Sequence, residues 1–290
     1  WIYALPAFIP LVLLSVVPLV QAIWTAFTDS VAGFEVKVSF IGFENFRRLA
    51  GDTLFWQSFK IGIIWAVSVT LLALVLGFGL ALLLNQKLRF LGLMRVLSLV
   101  PWAMPPVVVA IMWSLLLRPT SGPIEGVFTF LHIPGARTDW LGDFNTALPT
   151  VILIGAWVGM PIITVSILAA LQGIPTEMVE ASVIDGANAW QRFRYITLPL
   201  LKPVMVYVVI TGTIGAFQIF EGVYLLFPTS VGSIGGLKDM ALMIVPYLYD
   251  MGFNRFRLGY ASAVAWILFA IIFTISLINI RVTKSLEDLR

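Results

Sequence analysis

Glu221 is the only formal charge within the long apolar runs of this chain, and few other side chains are placed to do chemistry. A carboxylate in a membrane-length run costs of order 3 kcal/mol on insertion scales, so such groups face a bundle interior or a watery path. On a helical wheel Phe217, Glu221 and Tyr224 fall on one face, with Gln218 flanking it. Aromatic faces beside hydrogen-bonding groups suit a sugar, whose ring has an apolar face and hydroxyl edges. Trp157, close to Gly159 and Pro161, is a second candidate wall. Catalysis is poorly served by the rest of the sequence. There is no cysteine for a nucleophile, disulfide or thiolate metal site, and the one histidine, His132, lies in a polar stretch. No paired carboxylates sit within the apolar runs, so neither a catalytic nor a metal site is expected.

The elements that must hold these residues are membrane spans. The 290 residues are 60% hydrophobic and 11% charged, far from the balance of soluble domains. A helix needs about 20 apolar residues to cross a bilayer. Six runs qualify: 1–27, 61–84, 96–117, 146–171, 203–227 and 258–280. The expected fold is therefore an all-α integral membrane protein with six transmembrane helices in a single domain. A chain starting at Trp1 rather than Met is expected to be preceded by further residues.

Net charge +3 does not point to nucleic acid, because the basic residues are scattered at run ends and form no dense patch with interleaved aromatics. The 18 Lys and Arg divide equally between the two sets of loops. The set comprising 85–95, 172–202 and 281–290 is the shorter, so its basic density is higher and it is expected to be cytoplasmic, together with both termini. Pro/Gly clusters at 118–123, 132–135 and 228–232 are expected turns on the other side. Trp56, Trp140 and Tyr249 are expected interfacial anchors. Gly77, Gly79, Pro105-Pro106 and Pro161 make the second, third and fourth spans irregular, as in a bundle that opens a central path. Gly155 and Gly159 allow close helix approach.

One polar loop has internal organisation. Thr176 follows Pro175 as an expected N-cap, and Glu177 and Glu180 put negative charge in the first turn. Val179 and Val183 give this short helix an apolar face. Gly186 lets the chain bend. Trp190, Phe193 and Ile196 then recur every third residue, leaving Arg192 and Arg194 to water or lipid phosphate, and Pro199 and Pro203 reset the direction. Two short helices at an angle make a knob able to seat in another protein's groove.

The same loop resembles the cytoplasmic loop of permease subunits of binding-protein-dependent ABC importers. That pattern is E-A-A, three residues, G, nine residues, then I-x-L-P; here it reads Glu180, Ala181, Ser182, Gly186, Ile196, Leu198 and Pro199. Ser182 stands where Ala is usual. Asp185 within 184–187 (IDGA), and Phe193 before Ile196, match the carbohydrate-uptake branch, similar to maltose and glycerol-phosphate permeases. So do 40–49 (FIGFENFRRL), 101–102 (PW), 140–143 (WLGD) and 256–261 (FRLGYA). The resemblance implies a type I ABC importer permease fold, a bacterial or archaeal cytoplasmic membrane and a sugar-like cargo. It also implies a second, distinct permease, two ATPase subunits that bind ATP and Mg, and an extracytoplasmic solute-binding protein. Residues 176–199 become the coupling segment to the ATPase. The chain itself carries no G-x-x-x-x-G-K-[ST] phosphate loop. Gly215 and Gln218 stand where many relatives carry charge. The competing class, an ion-coupled secondary transporter, calls for several intramembrane Asp, Glu or His relays and repeat symmetry.

Overall fold

The computed structural model describes residues 8–10, 12–33, 38–134, 138–227, 235–236 and 239–287. The turn expected at 228–232, and the chain before residue 8 and after 287, lie outside the described residues. The regular structure among the described residues is helical, with one isolated antiparallel bridge between Thr28 and Phe40. The helices are α1 Val17–Ala26, α2 Glu44–Ala50, α3 Thr53–Leu84, α4 Leu91–Ala103, α5 Pro106–Leu116, α6 Pro123–Phe130 and α7 Ala147–Gln172. They continue with α8 Thr176–Ile184, α9 Ala189–Arg192, α10 Leu198–Phe217, α11 Glu221–Leu226, α12 Ile244–Tyr249 and α13 Leu258–Glu287. Five helical stretches are long and apolar enough to cross a membrane, and the bent pair α4–α5 brings the number to six.

α3 and α7 are the central pair, and glycine sets their spacing. A Cβ on Gly155 of α7 would lie 2.3 Å from the Trp65 ring of α3. One on Gly77 of α3 would lie 2.9 Å from the Met160 carbonyl oxygen of α7. The two helices therefore approach over small residues, as membrane helices do where no hydrophobic force drives them together. α10 packs on α3 and α7, and α13 packs on α1, α2 and α10.

The second span begins earlier than the hydropathy expectation of residue 61, at Thr53. Asp52 is the reason: its Oδ1 accepts from the backbone N–H groups of Leu54 (2.9 Å) and Phe55 (3.1 Å), capping the helix. The other carboxylate oxygen, Oδ2, accepts from Tyr247 Oη (2.8 Å) and Tyr260 Oη (2.7 Å). Tyr247 is fully buried, so this polar knot fastens the same ends of α3, α12 and α13.

The third span differs more sharply from the single helix over 96–117. α4 and α5 meet at 94°. Met104 precedes a proline and is extended (φ −77°, ψ 134°), as the clash with a following proline ring requires. Pro106 then starts α5, a position where its missing N–H is harmless.

The fifth span also departs from expectation. α10 starts at Leu198 rather than 203 and stops at Phe217, and Gln218, Ile219 and Phe220 separate it from the short α11. The helical wheel that joined Phe217, Glu221 and Tyr224 on one face therefore does not apply.

Burial works against ionisation of Asp52, but the Tyr260 and Tyr247 hydroxyls and the Phe55 and Leu54 amides outweigh it and hold the carboxyl below its ordinary value. A folded-state pKa below the unfolded one gives stability that is present above the ordinary carboxylate range and lost as pH falls through the lowered value. The thermal midpoint of the detergent-purified protein is expected to fall as pH drops from about 5 towards about 2. Asp52→Asn keeps a cap but takes the charge from two hydrogen bonds. It should cost about 1 kcal/mol at pH 7 and flatten the acid slope, read by thermal unfolding across pH.

Candidate functional site

The break in α10 opens a cavity. Its volume is about 720 Å³, walled by α3, α5, α7, α10, the 218–220 break and α11. A helix that ends within a membrane must find donors for its last carbonyls. Gln218 N–H reaches Gly215 O at 3.1 Å. The Ala216 carbonyl takes the indole N–H of Trp65, donated across from α3 at 3.0 Å. Trp65 is buried, and the missing Cβ of Gly155 is what leaves room for its ring. One tryptophan thus forms cavity wall and stabilises the break.

The expected pathway residues divide. Gln218 and Glu221 line the cavity and are exposed. Trp157 is set back, with its ring edge-on to Trp113 at 5.6 Å between centroids. Phe217 is buried in the core. Tyr224 stacks on Phe220 (5.1 Å) and meets Tyr249 (5.4 Å), so Tyr249 belongs to an aromatic cluster. Sequence reasoning missed Tyr207 and Thr211, hydroxyl-bearing side chains on the cavity wall. A threonine or tyrosine in an apolar run is routine, so only the fold separates these from packing residues. Metal-binding clusters of His, Cys, Asp or Glu are absent among the described residues.

The knob lies at the opposite end of α10. α8 begins at Thr176, but Thr176 is not its cap: Pro175, extended at φ −59°, ψ 132°, occupies that position and offers no side-chain bond. The bend is as expected at Gly186, with φ +80°. Ala187 N–H bonds Ser182 O (2.9 Å) and Gly186 N–H bonds Val183 O (3.0 Å), the paired closure that requires a left-handed residue at this place. Asn188 then starts α9 through a reciprocal bond with Gln191, a box that sequence reasoning missed although N-x-x-Q spells it.

Arg192 is not free to solvent, since it donates to Ala187 O at 2.8 Å and braces the bend. Ser182 is buried and donates to Val179 O (2.6 Å). Glu180, Ala181 and Asp185 are exposed beside it. Among the described residues nothing covers the apolar face of α8: Val183 is 55% exposed and Ile184 86%. A π-helical turn, Phe193–Thr197, runs from α9 into α10 and so carries Ile196 to Leu198 and Pro199 without a break. Phe193 packs edge-on against Phe78 of α3 at 6.1 Å.

Comparison with known proteins agrees with this architecture. Residues 73–286 match the family described as binding-protein-dependent transport system inner membrane component. The trehalose/maltose transport system permease protein MalF of Thermococcus litoralis is 29% identical over 288 residues, which is 99% of this chain and 94% of that protein. The sulfoquinovosyl glycerol transport system permease protein SmoG of Agrobacterium fabrum is 31% identical over 285 residues, 97% and 88% of the two chains. Among solved structures, a chain of a bacterial ABC transporter involved in the import of the acidic polysaccharide alginate superposes with TM-score 0.82. Its identity is 21%, over 98% of this chain and 95% of that one.

Trp65→Phe leaves the Ala216 carbonyl with only the long Ile219 N–H bond at 3.4 Å, where water is scarce, and should cost about 1–3 kcal/mol. The same exchange at Trp56, whose indole bonds the Ala50 carbonyl at an exposed position, should cost less than about 1 kcal/mol. Thermal unfolding of the two variants in detergent reads the difference.

Proposed function

The chain belongs to the binding-protein-dependent transport system inner membrane component family, and within it we propose that this subunit carries a sugar through the central cavity while the 176–199 knob seats on a separate ATPase. It is a membrane-embedded importer subunit with the permease fold, built from five or six apolar helices. The observation that carries the proposal is the uncovered knob. Its Gly186 bend and its capping box are fully built, yet Ile184 and Val183 point outward with nothing on them. Apolar side chains held outward on a rigid, well-capped bend are an interaction surface.

On this reading Glu180, Ala181, Ser182, Asp185 and Gly186 shape the part that enters the ATPase groove. Phe193, Ile196, Leu198 and Pro199 fix it to α10. The knob is then cytoplasmic, which places both termini on the same side and the Asp52 knot on the other. ATP and Mg belong to the ATPase subunits, consistent with a sequence that has no phosphate loop. A second permease closes the open side of the cavity, and a solute-binding protein delivers the cargo. The sugar class rests on the relatives' names and on a cavity with aromatic and hydroxyl walls. An ion-coupled carrier fits less well, because Glu221 is the single formal charge in the apolar runs.

The test is coupling. Gly186→Val forces a β-branched residue into the left-handed region, at about 1–2 kcal/mol, and distorts the knob alone. The complex should still assemble in membranes, while cargo-stimulated ATP hydrolysis and uptake fall by at least about tenfold, the equivalent of losing about 1.4 kcal/mol of contact. Glu180→Arg should act in the same direction. Normal coupling in both variants, or transport by the purified permease alone in vesicles, removes the reading.

A further inference from the structure

The polarity of the cavity bears on which sugars it admits. On its wall Glu221 is the only formal charge among the described residues, and no Lys, Arg or His lines it. Among the described residues Glu221 has no ion pair or hydrogen-bond partner, so its negative charge faces the cavity uncompensated. Thr70 of α3 lies behind this wall, 4% exposed, with its Oγ1 closed off from the cavity.

Gly212 lets the α10 backbone lie against Thr70: a Cβ there would stand 3.4 Å from the Thr70 methyl. Gly215 of α10 and Gly222 of α11 leave backbone where side chains would narrow the path. Trp65 and Phe220 supply flat apolar surface on the same wall.

We propose that this cavity is a charge-selective site for neutral or amino-bearing sugars, with Glu221 excluding carboxylated, phosphorylated or sulfonated ones. The inference rests on the carbohydrate reading above and adds the chemical class. An anionic sugar brought beside Glu221 meets a like charge in a partly dehydrated space, with no cation among the described residues of this chain's wall to balance it. A neutral sugar meets an acceptor, and an ammonium group meets a counter-ion. The cargo so defined differs in charge from the acidic polysaccharide of the structural relative.

The test is equilibrium binding to the purified permease–ATPase complex without its binding protein, so that upstream selection does not enter. The probes are maltotriose (neutral), a glucosamine trisaccharide (cationic) and trigalacturonate (anionic). Maltotriose and the glucosamine trisaccharide should bind at least about tenfold more tightly than trigalacturonate, a gap of about 1.4 kcal/mol or more. Glu221→Gln should narrow that gap at least about tenfold, and Glu221→Lys should invert the order of the two charged probes. Thermal midpoints check that each variant is folded. Equal affinity for the three sugars in the wild type, or an unchanged order in Glu221→Lys, overturns charge selection while leaving a carbohydrate site standing. Failure of all three to bind saturably at millimolar concentration overturns the carbohydrate reading and this inference together.

Discussion

A backbone carbonyl at a broken helix end in apolar surroundings must be given a donor, and at Ala216 the indole of Trp65 supplies the shorter bond, 3.0 Å, beside the Ile219 N–H at 3.4 Å. The bond in turn needs the indole to reach across from α3, and the indole fits only because residue 155 has no Cβ. A glycine on α7, a tryptophan on α3 and a carbonyl on α10 therefore form one unit. The space between the helices follows from it, as does the exposure of Glu221 at the start of α11.

Proline does comparable work on the opposite wall. The extended Met104 and Pro105 turn the chain through 94°, so that α5 leans away from α4 and packs on α11. Two short elements, α5 and α11, thus cover the side of the cavity that straight spans would have filled. The polar knot at Asp52 holds the far ends of α3, α12 and α13 in register with this arrangement. It joins residues about two hundred positions apart with one carboxylate, and its tyrosine hydroxyls also meet each other at 3.0 Å.

What the sequence made legible follows the range of the physics. The apolar runs, the Gly186 bend and the knob are local, and residue type suffices to place them. The Pro105-Pro106 break was legible as a kink but not as a right-angle turn, because its angle depends on what α5 packs against. The end of α10 at Phe217 was not legible: Gln218, Ile219 and Phe220 include neither proline nor glycine, and the decisive partner, Trp65, lies 151 residues away. The same cause misplaced Phe217 and Tyr224, since a wheel assumes a helix that the structure interrupts. Thr176 failed as a cap for a local reason. The extended backbone of Pro175 takes the cap position first, and the stronger capping signal lay further on at Asn188 and Gln191.

The knob and the cavity share a mechanical frame. From Ala189 through the π-turn to Phe217 the chain is one helical rod of 29 residues, with the knob at one end and the Ala216 carbonyl at the other. α3 runs beside it and touches both ends, through Phe78 on Phe193 and through Trp65 on Ala216. Phe78 and Trp65 lie about 20 Å apart along that helix at 1.5 Å per residue. Close-packed interiors transmit displacement more readily than they absorb it. A shift imposed on the knob therefore loads the α10 break directly along the rod and indirectly through α3. The hydrogen bond that ties this rod to a neighbouring span is the one at Ala216. An inward or outward tilt of α10 resolves into a change at one indole–carbonyl pair, at the point where the cavity wall carries Gln218 and Glu221.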